Sequence, residues 1–354
     1  MAYTTIKKPS DYFNTKLYTG NNSTNIISGV GFQPDWFWIK DRSTTGEKHH
    51  LFDAVRGLNK ALYSNQTTAE TTGFDGGGQN NITAVGNDGF TITGNGSDGE
   101  GNLTGRNYAS WNWLANGTGV ANTDGDITST VSANQTAGFS ISTFTVSGSG
   151  NIGVGHGLGA KPKVVITKST SHVTNWNVYH EDTSASPEND YLYLNTTAAK
   201  ASETDLWGDG MTTTTFGLGV GIGVSVGRSY VAYCFAEKQG FSKFGSYTGN
   251  GSTDGTFVYT GFKPAFVMNK MTSGAYHEWN MFDSTRQTFN PNGTRLIANL
   301  NIAEQNQQAA NYIDLLSNGF KIRTTDANFN GSGSSYIYMA FAEQPLVGDN
   351  PATA

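Results

Sequence analysis

Two short strings hold the residues best placed to do chemistry. Phe52-Asp53-Ala54-Val55-Arg56 recurs as Phe282-Asp283-Ser284-Thr285-Arg286. A carboxylate and a guanidinium three residues apart could grip a sugar or a carboxylate ligand. The same pairing also caps and braces strand ends, where it does no chemistry. The equivalent place in the middle of the chain holds His180 and no matching arginine. A string that can be lost once reads as a brace more than as a reactive site. Asp98-Gly99-Glu100 and Asp124-Gly125-Asp126 are oxygen-rich loops, which makes Asp98, Glu100, Asp124 and Asp126 candidate calcium ligands. Their spacing is not that of an EF-hand, and Asx-Gly turns also serve β proteins through backbone geometry alone.

Other chemistries find no support. His49, His50, His156, His172, His180 and His277 show no metal-ligand spacing. The adjacent pair His49-His50 reads as solvated loop. Glycoside hydrolysis needs two carboxylates flanking the bond, and the apolar runs are nearly free of acids. Gly217-Leu218-Gly219-Val220-Gly221-Ile222-Gly223 has no helix pattern after it, so it reads as a close-packed strand and not as a dinucleotide loop. The single cysteine, Cys234, sits in an apolar run and reads as a small buried hydrophobe. The expectation is a protein that is not an enzyme and that carries no cofactor.

The elements that must position these residues come three times. Gly31-Phe32-Gln33-Pro34-Asp35-Trp36-Phe37-Trp38-Ile39-Lys40 returns as Gly159 to Lys168 and as Gly261 to Lys270. Pro34, Pro162 and Pro264 open an apolar run, as a strand start allows. Lys40, Lys168 and Lys270 end it and are expected to lead the chain back to solvent. Asn65, Asn195 and Asn299 recur further on. Pro34 to Tyr108, Pro162 to Tyr230 and Pro264 to Tyr336 span nearly equal lengths, so the unit is constant. The resulting division is an N-terminal arm at 1–11, repeats at 12–115, 138–240 and 241–345, a polar linker or wrapping segment at 116–137, and a tail at 346–354.

Each repeat carries short β-branched and aromatic runs between Gly, Asn, Asp and Ser turns. That is the size and rhythm of a β-sandwich. The fold class expected is all-β, with three tandem lectin-like or jelly-roll-like sandwiches. Ile302 to Ala310 has helix-forming composition, with shorter counterparts at 67–71 and 197–203, so one short helix per repeat is expected. Trp36-Phe37-Trp38-Ile39, Val164-Val165-Ile166 and Phe266-Val267-Met268 are apolar on both faces. A sandwich strand with one wet face should alternate. Hence the outer face is covered by the short helix or by a neighbouring unit.

Composition limits the partners. Charged residues are 14% of the chain, against about 25% in ordinary soluble domains. The net charge of −6 and the lack of a basic stripe argue against nucleic acid. No stretch is apolar for long enough to cross a membrane as a helix, and the N-terminus has no signal-peptide pattern.

The strings Tyr12–Tyr18, Gly31–Lys40, Leu51–Gly57, Phe241 to Asn250 and Phe341-Ala342-Glu343-Gln344-Pro345, taken in order, resemble a family of repeated domains in marine bacteriophage virion proteins. The resemblance covers about 12–345. It implies a virion structural protein made in the host cytoplasm, a tail fibre or appendage component used in host attachment. Its partners would be other virion proteins and a glycan or protein of the host surface. By analogy it would be a homo-oligomer, a trimer. The alternatives are a capsid decoration protein and, last, a glycan-degrading enzyme. The second repeat departs from the pattern by lacking the Phe-Asp-x-x-Arg string.

Overall fold

The computed structural model describes residues 4–74, 80–94, 100–148, 150–219, 225–306 and 312–345. It is all-β and built from antiparallel sheets. Each repeat folds as a large sheet facing a small one. In the first repeat the opening strand Phe13–Thr19 pairs with the closing strand Asn107–Trp113, which pairs in turn with the motif strand Trp36–Asp41. His49–Asp53, Gly57–Tyr63 and Thr71–Thr72 extend the sheet outward. The third repeat has the same order, with Ser242–Thr248, Ser335–Pro345, Phe262–Met271, Asn280–Asp283, Thr294–Ile297 and Gln305–Asn306. In the second repeat Phe139–Thr145, Ser229–Phe235 and Val164–Ser169 occupy the corresponding places.

The three large sheets turn one face inward to a single shared core. Alternate residues of every motif strand reach it: Trp36 and Trp38, Val164 and Ile166, Phe266 and Met268. The intervening residues Phe37, Val165 and Val267 fill separate cores beneath each small sheet. This accounts for the two-sided apolar pattern, with a neighbouring unit as the cover. Ring contacts cross all three boundaries. Trp36 stacks on Tyr233 at 4.4 Å, Phe13 on Phe341 at 5.1 Å, and Phe235 meets Phe244 at 6.0 Å. Ile6 of the N-terminal arm is buried in the same core.

Three expectations are corrected. No helix forms at 67–71, 197–203 or 302–306, and 307–311 lie outside the described residues. These segments are straps whose backbone bonds go to the next unit. Glu70 N–H donates to Thr170 O, Lys200 N–H to Thr272 O, and Glu304 N–H to Arg42 O. In return the Thr67, Thr197 and Asn301 carbonyls accept from Thr174, Tyr276 and Gly46. Those neighbour bonds replace the i→i−4 ladder that a helix would need. The contacts therefore close cyclically, first repeat to second, second to third, third to first. Among the described residues the one α-helix is Ala327–Asn330. Second, the 116–137 segment is not a linker. Val120–Asn122 and Ser129–Asn134 add two strands to the second repeat's large sheet, because Ser129–Asn134 alternates and pairs with Phe139–Phe144. Third, Pro264 lies inside its strand at a bulge, while Pro34 and Pro162 precede theirs. The tail beyond 345 lies outside the described residues.

The Thr-Gly-Asn turns of the first and third repeats have a common cause. A Cβ at Gly20 would lie 2.2 Å from the Leu103 carbonyl oxygen, and one at Gly249 would lie 2.4 Å from that of Gly331. The next residue, Asn21 or Asn250, exchanges side-chain hydrogen bonds with Asn102 or Asn330.

Because the repeats share one core, they should unfold together. Calorimetry should give a single transition, and Trp36→Ala should lower the stability of the whole chain by about 3–5 kcal/mol. Separate transitions for separate repeats would contradict the shared core.

Candidate functional site

The repeated ionic strings lie at the boundaries between units, buried. Asp53 accepts hydrogen bonds from the Val55 and Arg56 N–H groups, and its Oδ2 pairs with the Arg56 guanidinium. Arg56 reaches on to Glu70 at 3.1 Å and to the Leu51 carbonyl. Tyr233 of the second repeat donates its O–H to Asp53 at 2.8 Å. The third repeat repeats the plan. Asp283 holds Arg286, Arg286 reaches Glu304 at 3.0 Å, and Trp111 of the first repeat donates Nε1–H to Asp283 at 3.0 Å. Glu304 also takes a two-pronged bond from Arg42 of the first repeat, at 2.7 and 2.9 Å. In the second repeat His180 stands at the aspartate position and donates Nε2–H to the Tyr338 carbonyl of the third at 3.1 Å. Lys200 stands where Glu70 and Glu304 do, and pairs locally with Asp190. Each boundary thus has one polar brace, and the brace is spent on the neighbouring unit.

A second ring runs alongside. The side chains of Asn65, Asn195 and Asn299 accept from the backbone N–H groups of His49, Trp176 and Trp279. Trp176 then donates Nε1–H across the boundary to Tyr63 O at 2.8 Å, and Trp279 to Tyr193 O at 3.0 Å. His49 takes the tryptophan's place in the first repeat. Its Nδ1 accepts from Trp38 at 2.9 Å. The cross-boundary residues Trp111, Trp176, Tyr233 and Trp279 were not singled out from the sequence. Aligning the three repeats position by position would have shown His49, Trp176 and Trp279 as one site.

Two sequence readings are overturned here. Lys40, Lys168 and Lys270 do not lead to solvent; all three are 0% exposed. They lie on the inward face of the motif strands, each capped by backbone carbonyls. Lys40 donates to Asp41 O, Lys168 to Ser169 O, and Lys270 to Met271 O, at 2.7–3.0 Å. Lys270 also reaches the Thr197 carbonyl of the second repeat's strap at 3.5 Å. His49-His50 is not solvated loop but buried strand. His50 donates Nε2–H toward Phe74 O and Glu100.

The calcium candidates do not converge. Glu100 is engaged by Lys48 and His50, Asp124 by Asn122, and Asp126 by the Gly153 N–H, while Asp98 lies outside the described residues. Among the described residues no group of three His, Cys, Asp or Glu is placed to hold a metal. The Gly217–Gly223 stretch begins in a strand, Thr215–Leu218, that pairs with Ile152–Gly155; 220–224 lie outside the described residues. Cys234 is buried.

The surface offers shallow polar clefts. One of about 460 Å³ at the first boundary is lined by Arg56, Glu70 and hydroxyls that include Thr128, Thr143 and Ser229. Another, of about 400 Å³, lies beside Glu237, Lys243 and Tyr259. No helix of the described residues is long and apolar enough to cross a membrane.

By its architecture the molecule is an all-β protein of three sandwich-type units closed on one core. The chain belongs to the family described as Domain of unknown function (DUF7483), whose pattern matches residues 8–345. No curated protein matches the sequence.

The buried groups set a pH dependence. Burial pulls Lys40, Lys168 and Lys270 down from 10.5 to about 8. For Lys168 the Arg56 charge adds to the effect. From about pH 8 to about 10 the unfolded chain keeps protons that the folded chain has released, so stability rises with pH. Burial raises the Cys234 thiol, which opposes this as one group against three. Above about 10 the buried Tyr18, Tyr233 and Tyr247, also raised by burial, turn the curve down. On the acid side burial lowers His180 to about 4 and depresses His49, so stability falls as pH drops below about 6.5. Denaturation midpoints across pH should therefore peak on the alkaline side, and Lys270→Met should remove about a third of the alkaline rise. An unchanged alkaline slope would contradict the lysine assignment. Separately, Asp283→Ala leaves the buried Arg286 with Glu304 as its remaining carboxylate and should cost about 3 kcal/mol by urea unfolding.

Proposed function

We propose that the protein is a non-enzymatic structural component of a bacteriophage virion, a tail-associated appendage that serves attachment. One observation carries most of the weight: the candidate side chains for chemistry are mostly buried and spent on internal contacts, the Asp53, Asp283 and His180 braces across boundaries and the lysines and His50 within their own units. Asp53, Asp283, Arg286, the three lysines and His49, His50 and His180 are all buried. What remains outside is a rigid body with polar loops, suited to holding a position and presenting a surface. The resemblance of its ordered strings to repeats of marine phage virion proteins supports the same reading.

The cyclic closure favours a second reading, a capsid decoration protein. A body with approximate threefold repetition can seat on a threefold axis of a shell or of a fibre with one chain. Gold-labelled antibody against the protein, viewed on virions of the encoding phage, separates the two. Label at the tail is expected. Label spread over the head would replace the attachment reading with the decoration one, and virions without label would overturn both. Light scattering on the purified protein is expected to give a trimer mass, by analogy with phage appendages. A monomer mass would mean that the repetition inside one chain serves in place of a trimer.

A further inference from the structure

The third repeat presents two aromatic rings outward that the other repeats do without. Strand Phe257–Tyr259 lies in the small sheet, with Val258 buried in the local core. Phe257 is 44% exposed and Tyr259 54% exposed. They lie on the same face, about 7 Å apart along the strand. Their partners in register are Lys321 and Gly319. Opposite Tyr259 there is therefore no side chain. In the first repeat the matching strand is Asn25–Ser28, paired with Gly89–Thr93 so that Ile26 and Ser28 stand at the two positions. The fold is built there without aromatics. Phe257 and Tyr259 are thus not needed for the strand, and exposing two rings side by side costs solvation.

Tyr259 forms one wall of the cleft of about 400 Å³. The other walls hold Glu237, Gln239, Ser242 and Lys243. Glu237 and Lys243 pair at 2.8 Å, and both are partly exposed. An ammonium donates and a carboxylate accepts, so together they can serve two adjacent hydroxyls in both roles. Gln239, exposed, adds an amide with donor and acceptor. A ring face beside such a pair suits a molecule with an apolar C–H face and a rim of hydroxyls.

We propose that the Tyr259 cleft is a saccharide-binding site that takes a neutral pyranose unit of a glycan. This rests on the attachment reading for its role, though the binding itself can be tested alone. Phe257 extends the platform to the next unit along a chain.

The test uses the full protein and four simple probes at millimolar concentration: methyl β-glucoside, methyl β-galactoside, methyl α-mannoside and N-acetylglucosamine. Saturation-transfer NMR should show transfer to the ring C–H protons of at least one. Tyr259→Ser, which installs the first repeat's own residue and so keeps the fold, should weaken binding by about tenfold or more. Lys243→Met should weaken it through the hydroxyl rim. No transfer from any probe overturns the site, as does transfer undiminished in Tyr259→Ser. Virion labelling reads out independently. A glycoside signal lost with Tyr259→Ser upholds the site wherever the label falls, and labelled tails with no glycoside signal sink the site while the attachment reading stands.

Discussion

Each large sheet has to bury both of its faces, and the rest of the structure follows from that. A sheet with apolar residues on every position of its central strand cannot stand in water alone. The small sheet covers one face. The other is covered by two more copies of the same sheet, and three copies are what close the space. Trp36, Trp38, Trp111 and Trp113 from the first repeat fill much of the centre, with smaller Val164, Ile166 and Ala137 from the second. The second repeat also brings Phe139, Trp176, Tyr233 and Phe235, and Trp36 meets Tyr233 and Phe139 ring to ring.

Burial of that face forces the polar groups at its rim to find partners across the boundary. The straps supply carbonyls and N–H groups, and the Asp–Arg–Glu sets supply the charges. The second repeat shows how far this can drift. Its His180 makes a neutral bond where the others place a carboxylate, and Lys200 turns to Asp190 within its own unit. A neutral donor satisfies the boundary without a buried charge, which is the less demanding solution where no arginine is present.

The sandwich class, the threefold repetition and the two-sided burial were legible from period and spacing, because each depends on local side-chain pattern. What was not legible depended on partners distant in sequence. Ile302 to Ala310 is rich in helix formers, yet Glu304 N–H is claimed by Arg42, a residue from the far end of the chain. Lys40 ends an apolar run, which reads as a return to water, yet the side chain is buried and its ammonium turns back to the Asp41 carbonyl. His49 and His50 look like loop residues because two adjacent histidines carry no strand signal. Their burial comes from Trp38, Phe74 and Glu100, none of which is adjacent in sequence. The Asp53 string shows Arg56 as its partner from spacing alone, but the arrival of Tyr233 is a tertiary fact. The cleft at Tyr259 is invisible without knowing that Val258 points inward.

The order of the straps also sets an order of assembly. The first repeat's strap lies on the second and the second's on the third, so these can dock as the chain emerges from the ribosome. The last strap joins Glu304 to Arg42, and that contact waits for the C-terminal third to be made. Until then the first repeat's tryptophan face lacks part of its cover. The nascent chain therefore spends most of its synthesis with sticky surface showing, and its final step is a long-range closure of the slow, aggregation-exposed kind. Truncation from the C-terminal end would leave the first repeat permanently in that unfinished state.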